Sequence, residues 1–239
     1  MSKTLLITGA NRGIGFEMTR QAIERGDQVI ACVRTIKFAS ELSAMAKGNP
    51  AITILSLDVT VENDMKKIAA KVKNKIDILI CNAGVLNSYG GLEDKEHNSN
   101  AIETVLMTNI AGVFFTARSF LSHLALKNID EKHPSELQGK IAVISSIMGS
   151  QEKAGSNAII YRASKAAATN LVRSLAVELK PRGIAVGAYH PGWVRTDMGG
   201  PSANVSPQDS AAGLLVRFDA LNLANTGLFE SYCGEFLPF

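Results

Sequence analysis

Residues 4–15 read Thr-Leu-Leu-Ile-Thr-Gly-Ala-Asn-Arg-Gly-Ile-Gly, an apolar run that passes directly into a glycine-rich turn. The glycines are spaced Gly-x₃-Gly-x-Gly, a variant of the Gly-x-Gly-x-x-Gly pattern that joins a strand to a helix. They allow a tight turn and let backbone N–H groups approach a pyrophosphate at the positive end of the helix. The stretch therefore predicts a strand–turn–helix unit that binds a dinucleotide. The residues predicted to contact it are Gly9, Asn11, Arg12, Gly13, Ile14 and Gly15.

Outward from this stretch, short apolar runs alternate with longer segments of helical periodicity. The runs are almost continuously apolar, as expected for parallel strands covered on both faces. The predicted strands are Leu5–Ile7, Val29–Val33, Ile52–Leu57, Ile76–Cys81, Ile141–Ile144 and Ile184–Tyr189, and the predicted helices cover about 14–25, 61–73, 100–127 and 160–181. Repeated βα units of this kind predict an α/β fold with a parallel sheet and helices on both faces. No linker divides the chain, so we predict a single domain over residues 1–239.

The composition is that of an ordinary globular protein. Of the 239 residues, 46% are apolar and 20% are charged, and the formal net charge is only +3. No run rich in Lys and Arg stands out, so nucleic acid is not predicted as a partner. The sequence also lacks Gly-x₄-Gly-Lys-Ser/Thr and Gly-x-Ser-x-Gly, which argues against nucleoside triphosphate hydrolysis and against an α/β-hydrolase.

The cysteines and histidines predict neither disulfides nor a metal site. Cys32, Cys81 and Cys233 lie far apart in apolar runs, a pattern typical of buried free thiols in a reducing compartment. The histidines are scattered, without Cys or acidic partners at ligand spacing. They are His97, His123, His133 and His190. No segment approaches the roughly 18 apolar residues of a membrane span, and residues 1–4 run straight into a short strand-like segment without a long apolar stretch. We therefore predict a cytoplasmic protein with no metal and no membrane contact.

The end of the second strand indicates which dinucleotide is bound. A site that prefers NAD would place Asp or Glu there to accept hydrogen bonds from the ribose hydroxyls. Here the strand ends Cys32-Val33-Arg34, without an acid. Arg34 matches the geometry of a 2′-phosphate, and Arg12 could approach the same phosphate from the glycine turn; alternatively, both are solvated surface arginines. The missing acid favours NADP(H) over NAD(H).

Two further segments complete the predicted nucleotide site. Asp58-Val59 ends the third strand, where the carboxylate could accept from an adenine amino group; alternatively, Asp58 caps the next helix. Asn82-Ala83-Gly84 ends the fourth strand, and its small residues would let the ribose and adenine lie close to the backbone. Asn82 alternatively braces the central strands. We predict that both segments contact the cofactor.

A tyrosine and a lysine at helical spacing indicate proton transfer. Tyr161 and Lys165 are four residues apart, which puts them on one face of a predicted helix. A phenol titrates near pH ~10, and a nearby ammonium stabilises the phenolate and moves its pKa toward the working range. Ser146, at the end of the fifth strand, supplies a hydroxyl that can bond a carbonyl oxygen as negative charge develops on it.

These motifs together resemble the short-chain dehydrogenase/reductase family. The glycine turn, Asn82-Ala83-Gly84, Asn109, Ser146 and Tyr161-x₃-Lys165 occur in the family's order and cover essentially the whole chain. Residues 145–149, 161–165 and 190–198 look like those of the C-factor/sniffer-type carbonyl reductases. The resemblance implies a Rossmann-type, doubly wound parallel sheet. It also implies an NADP(H)-dependent enzyme that reduces an aldehyde or ketone to an alcohol, or the reverse.

The resemblance further implies a role for each matching residue. Tyr161 would protonate the carbonyl oxygen, and Lys165 would lower the pKa of Tyr161 and hold the nicotinamide ribose. Ser146 would orient the carbonyl, and Asn109 would hold a water in the proton path. The remaining residues implied to contact the nicotinamide end of the cofactor are Pro191, Gly192, Val194 and Thr196.

Two neighbouring serines are candidates for the serine of this tetrad. Ser146 and Tyr161 are fifteen positions apart, a residue or two more than is usual in the family, which leaves Ser145 as the alternative. Side chains alternate along a strand, so the two serines point to opposite faces and only one can serve. We predict Ser146, because the family's serine is generally the second of such a pair.

The substrate and the assembly are predicted only in outline. Residues 192–207 combine Gly, Pro and Ser and predict a mobile flap that forms the substrate pocket with residues 86–100. The large apolar residues expected around the pocket are Tyr89, Leu92, Met148, Ile160, Trp193 and Met198. The alternative function is a regulatory or signalling protein that binds NAD(P)H with little turnover. The helices near 100–127 and 160–181 resemble those of the family's dimer interface, so we predict a homodimer and leave a tetramer open.

Overall fold

The computed structural model describes residues 2–124 and 136–239, and within these ranges the strands form one parallel sheet. The strands are β1 Thr4–Thr8, β2 Gln28–Val33, β3 Ile52–Ser56, β4 Ile78–Cys81, β5 Gly139–Ile144, β6 Ile184–His190 and β7 Phe229–Ser231. The helices are α1 Gly13–Glu24, α2 Ser40–Ala46, α3 Glu62–Ala69, α4 Ser99–Leu106, α5 Gly112–Leu124, α6 Ile159–Leu179 and α7 Pro207–Ala220. A π-helical segment, Met107–Ala111, joins α4 to α5. The predicted α/β class is confirmed.

Helices cover both faces of the sheet because successive strand residues point in opposite directions. Leu5 and Ile7 of β1 belong to the core that packs against α1, α2 and α7. Leu6, between them, belongs to the core that packs against α3, α5 and α6. Each strand therefore needs apolar residues at every position, which is why the predicted strands read as continuous apolar runs.

The strand order is β3-β2-β1-β4-β5-β6-β7. The chain first adds strands on one side of β1 and then, from β4 onward, on its other side, so the order of strand addition reverses between β1 and β4. In a doubly wound sheet, ligands bind in the crevice beyond the carboxyl ends of the strands at such a switch point. Here the crevice lies between the glycine turn after Thr8 and the Asn82-Ala83-Gly84 segment after Cys81. The two predicted nucleotide-binding segments are therefore neighbours.

Some elements were missed by the sequence analysis. The short helix α2, the final helix α7 and the three-residue strand β7 have no counterpart among the predicted elements. The predicted helix 100–127 is divided by the π-helical segment, and its last three residues lie outside the described ranges. The signal for α7 is present in the sequence, since Ser206 caps the helix by accepting from the Asp209 N–H at 3.0 Å and Pro207 occupies its first turn.

Two expectations about burial need correction. Cys32 and Cys81 are buried and their pKa is raised to about 12 by burial, but Cys233 is exposed because it lies in the turn after β7. The helical stretch Ser99–Leu124 is long and apolar enough to pass as a membrane span by length and composition. Of the 18-residue apolar part that meets this test, 44% is buried inside the fold. Its apolar residues serve the core, since Phe120 and Leu124 are fully buried against the sheet.

Candidate active site

The glycine turn has the conformation that its sequence predicts. Gly9 and Gly13 have φ angles of +67° and +56°, in the left-handed region that favours glycine. A Cβ on Gly15 would overlap the carbonyl oxygen of Gly9 and lie 2.5 Å from Nδ2 of Asn82. The turn can therefore close tightly between β1 and α1 only with glycine at these positions.

The amino end of α1 is suited to an anion. Among the described residues, no side chain caps it, and its first turn contains no acidic residue. Its first N–H groups therefore keep their positive polarity for a phosphate, which supports the predicted dinucleotide site. Arg12, immediately before α1, is exposed and ion-paired with Asp197 at 2.6 Å. The sequence analysis predicted the arginine but missed this partner.

The predicted 2′-phosphate and adenine contacts lie together at the carboxyl ends of neighbouring strands. Arg34 follows β2 directly and is exposed. The Asp58 carboxylate accepts from the backbone N–H and the hydroxyl of Thr60, at 2.9 and 2.7 Å. The alternative that Asp58 caps α3 is wrong, because the residue at that cap is Val61 and no side chain bonds there. Val59 is buried against Gly112.

Asn82 braces the two central strands, as its alternative interpretation expected. Its Nδ2 donates to the carbonyl oxygens of Thr8 and Gly9, at 2.9 and 3.2 Å. In return, the Thr8 hydroxyl accepts from the N–H groups of Asn82 and Ala83 at 3.0 and 3.1 Å. These bonds fix the glycine turn against the end of β4. The role of Thr8 in this brace was missed.

Asn109 lies in the π-helical segment and is almost completely buried. Its Nδ2 donates to the Val85 carbonyl and to the Ser164 hydroxyl, both at 2.9 Å, and its Oδ1 accepts from the Val85 N–H at 2.9 Å. The amide thus connects the end of β4 to α6. π-Helical turns interrupt regular helices mainly at functional sites. Sequence reasoning gave no signal for this turn or for Ser164.

The two serines after β5 face different partners, as strand alternation predicts. Ser145 bonds the Thr169 hydroxyl at 2.6 Å and the Lys165 carbonyl at 3.2 Å, so its hydroxyl is used inside the core. The Ser146 hydroxyl instead lies near Tyr161, where it acts to lower the pKa of the phenol. Its Oγ also accepts from the Met148 N–H at 3.1 Å, which leaves its own proton available.

Tyr161 and Lys165 lie one turn apart on α6, and both are buried. The Lys165 Nζ is 5.6 Å from the centre of the Tyr161 ring and donates to the Ile144 carbonyl at 2.8 Å. A Cβ on Gly84 would lie 3.4 Å from both Lys165 Nζ and Asn109 Oδ1. The end of β4 therefore meets the lysine and the asparagine, and the tetrad residues gather at one place.

The pKa of the phenol differs from what the sequence suggested. Burial raises the pKa of Tyr161 to about 12, and the nearby Ser146 hydroxyl only partly opposes this rise. Burial also lowers the pKa of Lys165 to about 8. The expected lowering of the tyrosine pKa by the ammonium is therefore absent from this state of the protein, because desolvation of the phenolate dominates.

The segment after β6 has a defined fold of its own. The N–H of Arg195 donates to the Val205 carbonyl at 2.9 Å, and the N–H of Val205 donates to the Trp193 carbonyl at 3.0 Å. Val194 is buried and pairs with Val205. Thr196 packs against Gly13, since a Cβ on Gly13 would lie 3.2 Å from the methyl group of Thr196. The predicted flap thus reaches the glycine turn.

The start of the segment is also anchored. The Pro191 carbonyl accepts from the Ser210 hydroxyl of α7 at 2.7 Å, and Gly192 packs against Val205 and Tyr232.

The described residues contain no cluster of three His, Cys, Asp or Glu side chains that could hold a metal ion. His133, named in the sequence analysis, lies outside the described ranges.

Comparisons with known proteins agree with the resemblance inferred from the motifs. The family model described as short chain dehydrogenase matches residues 3–205. The C-signal protein of Myxococcus xanthus is 34% identical over 168 residues, which cover 69% of this chain and 93% of that protein. Two crystal structures match the whole chain. The NADPH-bound carbonyl reductase from chicken fatty liver is 29% identical, with a TM-score of 0.88 and 99% of that chain covered. The carbonyl reductase Sniffer of D. melanogaster is 27% identical, with a TM-score of 0.89 and 100% of that chain covered.

Proposed function

This chain belongs to the short-chain dehydrogenase family of oxidoreductases, and we propose that it uses NADP(H) to interconvert an aldehyde or ketone with an alcohol. The observation that carries the proposal is the meeting of Asn109, Ser146, Tyr161 and Lys165 beside the crevice of the switch point. A regulatory protein that only binds the cofactor has no need for these four side chains together. Oxidation of NADPH by the purified protein, measured against a panel of carbonyl compounds, tests the two functions directly.

Tyr161 is the proposed proton donor for carbonyl reduction. With a pKa of about 12, its phenol keeps its proton at neutral pH and can give it to a carbonyl oxygen that is gaining electrons. Ser146 can donate its free hydroxyl proton to the same oxygen and hold it near the phenol. The bound dinucleotide would supply or accept the hydride. Oxidation of an alcohol by the same residue would need the phenolate to accept the proton.

Lys165 and Asn109 are proposed to complete the proton path. One N–H of the Lys165 ammonium is used by the Ile144 carbonyl, which leaves two donors for the hydroxyls of the nicotinamide ribose. Both N–H donors of the Asn109 amide are used inside the protein, so a water in the path would be held by an oxygen of Asn109.

The proposed cofactor contacts follow from the fit of the crevice. The uncapped start of α1 and the tight glycine turn fit a pyrophosphate. Arg34 and Asp58 fit the 2′-phosphate and adenine end, and the Pro191-Gly192 and Val194–Thr196 segments fit the nicotinamide end. Because the NADPH-bound chicken carbonyl reductase resembles the whole chain, we propose NADP(H) rather than NAD(H).

We expect NADPH to bind more tightly than NADH, and Arg34→Asp to reduce or reverse this preference. A charged hydrogen-bond pair contributes about 1.5–3 kcal/mol, which corresponds to a roughly ten- to hundredfold loss of NADPH affinity. Arg12 should contribute less, since it must first leave Asp197. Fluorescence titration with both cofactors measures the effect. Lys47→Asp, an equal charge change at an exposed site after α2, is the control, and equal affinities in the unmodified protein would contradict the assignment.

The substrate proposed is an apolar carbonyl compound or its alcohol. Tyr89, Trp193 and Met198 are exposed apolar side chains, and the phenol of Tyr89 lies near enough to Tyr161 to raise its pKa. The Tyr89 hydroxyl donates to the Met198 carbonyl at 2.7 Å, which joins the 86–100 loop to the proposed substrate flap at 192–207. A pocket walled in this way favours a substrate with an apolar body beside its carbonyl group.

We propose that the protein forms a homodimer through α5 and α6. Phe114 on α5 and Val177 on α6 are apolar and exposed, and Leu171 of α6 is half-buried. Light scattering is expected to give twice the 25.5 kDa chain mass, and Phe114→Asp should shift the protein toward the monomer. Phe38→Asp, at an exposed phenylalanine distant from these helices, should not. A monomer at micromolar concentration in the unmodified protein would be the opposite result.

We also propose a cytoplasmic location. The two buried thiols, Cys32 and Cys81, have a pKa of about 12 and stay protonated, and Cys233 is a free thiol, as suits a reducing compartment. Cell fractionation with an antibody against the protein tests this.

A further inference from the structure

Arg162, the residue after Tyr161, ties down the segment that separates Tyr161 from Ser146. Its Nε donates to the Asn157 carbonyl at 2.9 Å, and its Nη2 to the Asn157 side-chain oxygen at 3.1 Å. Its Nη1 donates to the carbonyl oxygens of Lys153 and Met148, at 2.9 and 3.4 Å. All four acceptors are amide oxygens, so the guanidinium works as a hydrogen-bonding clamp for the main chain.

The start of the clamped segment is also held by the N–H of Gln151, which donates to the Phe239 carbonyl at 3.1 Å. Residues 151–157 are all exposed, so this stretch contributes no side chain to the core. A Cβ on Gly155 would overlap Nη2 of Arg162, which means that the guanidinium lies directly against the backbone of the segment. The extra length between Ser146 and Tyr161 that the sequence shows is therefore packed around one arginine.

The clamp also reaches the start of the catalytic helix. Ala158, immediately before α6, has a φ of +48°, the one positive value among non-glycine residues of the described chain. Its N–H donates to the Tyr89 carbonyl at 2.9 Å. An alanine adopts this unfavourable conformation only where its surroundings hold it there. The bonds from Arg162 to Asn157 fix the neighbouring residue, and so fix where α6 begins, two residues before Tyr161.

The segment and the arginine border an open surface cavity of about 470 Å³. Its lining residues are Ile147, Met148, Glu152, Lys153, Ala154 and Arg162. Two of them, Ile147 and Arg162, are the chain neighbours of Ser146 and Tyr161. The cavity is within the size range of ligand pockets, and Met148 and Ala154 give it apolar surface.

We propose that Arg162 is a positioning residue that shapes this cavity as a distal subsite for the apolar body of a bulky carbonyl substrate. The inference rests on the proposed function, since it concerns the substrate of the same site. The guanidinium acts through the backbone of residues 148–158 and makes no contact with the reacting carbonyl. It should therefore govern binding of large substrates more than the chemistry of small ones.

The test compares Arg162→Met, Arg162→Lys and Gly155→Ala with the unmodified protein. For a bulky aryl ketone, we expect Arg162→Met to raise KM about tenfold or more, with kcat changed less than about threefold. For a small aliphatic aldehyde, KM should change less than about twofold, and NADPH affinity should be unaltered. Arg162→Lys should rescue only part of the loss, because an ammonium cannot make the four bonds of the guanidinium.

Gly155→Ala displaces the guanidinium while keeping its charge, so it should reproduce the effect of Arg162→Met. The double variant should lose little more than either single one, because both changes break the same contact. Lys180→Met, which removes an exposed charge from the far end of the same helix, is the matched control.

Cleavage by trypsin after Lys153 gives a readout that does not need activity. Loss of the clamp should expose the segment and speed this cleavage in both Arg162→Met and Gly155→Ala, but not in Lys180→Met. Unchanged KM for the bulky ketone in both variants would overturn the proposal. If the unmodified protein turned over no carbonyl compound, the proposed function would be refuted instead. In that case, unchanged cleavage after Lys153 in both variants would overturn the clamp, and faster cleavage would support it.

Discussion

Replacing Tyr161 by phenylalanine is expected to lower kcat for carbonyl reduction by at least about a hundredfold, because general acid catalysis typically contributes 10²–10⁴-fold. The change keeps the ring, which packs in the buried start of α6, and removes only the hydroxyl, which lies near Ser146. Affinity for NADPH should change little, since the phosphates are proposed to lie at the other end of the crevice. Steady-state kinetics with a reactive carbonyl and a cofactor titration measure both effects.

Tyr189→Phe is the matched control for this variant. Tyr189 is also buried, and its hydroxyl finds no hydrogen-bond partner within the part of the chain that the structure describes. Tyr189→Phe removes a hydroxyl oxygen, as Tyr161→Phe does, but from a core position of β6, so it should leave turnover unchanged. If Tyr161→Phe kept near-normal turnover while folded, the proton would have to come from elsewhere and the proposed catalytic centre would be wrong.

The fold could be predicted from the sequence because its signals are local. A continuous apolar run identifies a buried parallel strand, and the glycine turn at residues 9–15 identifies the junction of the first strand and helix. The structure has both where expected. The strand β7 was missed because its three residues, Phe229–Ser231, are too few to show a pattern.

The partners of the predicted site residues could not be predicted, because they depend on contacts between distant segments. Asp197 meets Arg12 across 185 positions of sequence, and Asn82 meets Thr8 across 74. The π-helical turn at Asn109 depends on bonds to Val85 and Ser164 from two other elements. Spacing along the chain carries no information about any of these contacts.

The tyrosine pKa shows why residue identity alone was insufficient. From the sequence, a lysine one turn away suggests a lowered phenol pKa. In the structure, both groups are buried, so desolvation acts against each charged form: it raises the pKa of Tyr161 and lowers that of Lys165. The degree of burial, which the sequence did not reveal, decides the direction. The resulting neutral phenol is the form that a carbonyl reductase needs.

Replacing Lys165 by methionine is expected to lower turnover by at least about a hundredfold and also to weaken NADPH binding, because the positioned ammonium serves both. The stability of the fold should move in the other direction. The ammonium is buried, with one main-chain carbonyl, that of Ile144, as its hydrogen-bond acceptor, and methionine fills similar space without a charge. Thermal unfolding near pH 7 should therefore show a higher Tm for the variant, as expected where a functional group is held at a cost to stability.

The dependence on pH gives this prediction its sharpest check. In the folded chain, Lys165 loses its proton near pH 8, whereas its ordinary pKa is 10.5. Between these values the unfolded chain binds more protons, so the free energy of unfolding of the unmodified protein should rise with pH through this window. Lys165→Met should lack that rise, so its stability advantage should shrink from pH 8 toward 10.5. Lys140→Met, which removes a half-buried lysine of β5 outside the site, should keep full turnover. A Lys165→Met protein that retained activity, or was less stable than the unmodified protein at pH 7, would contradict the role assigned to this buried charge.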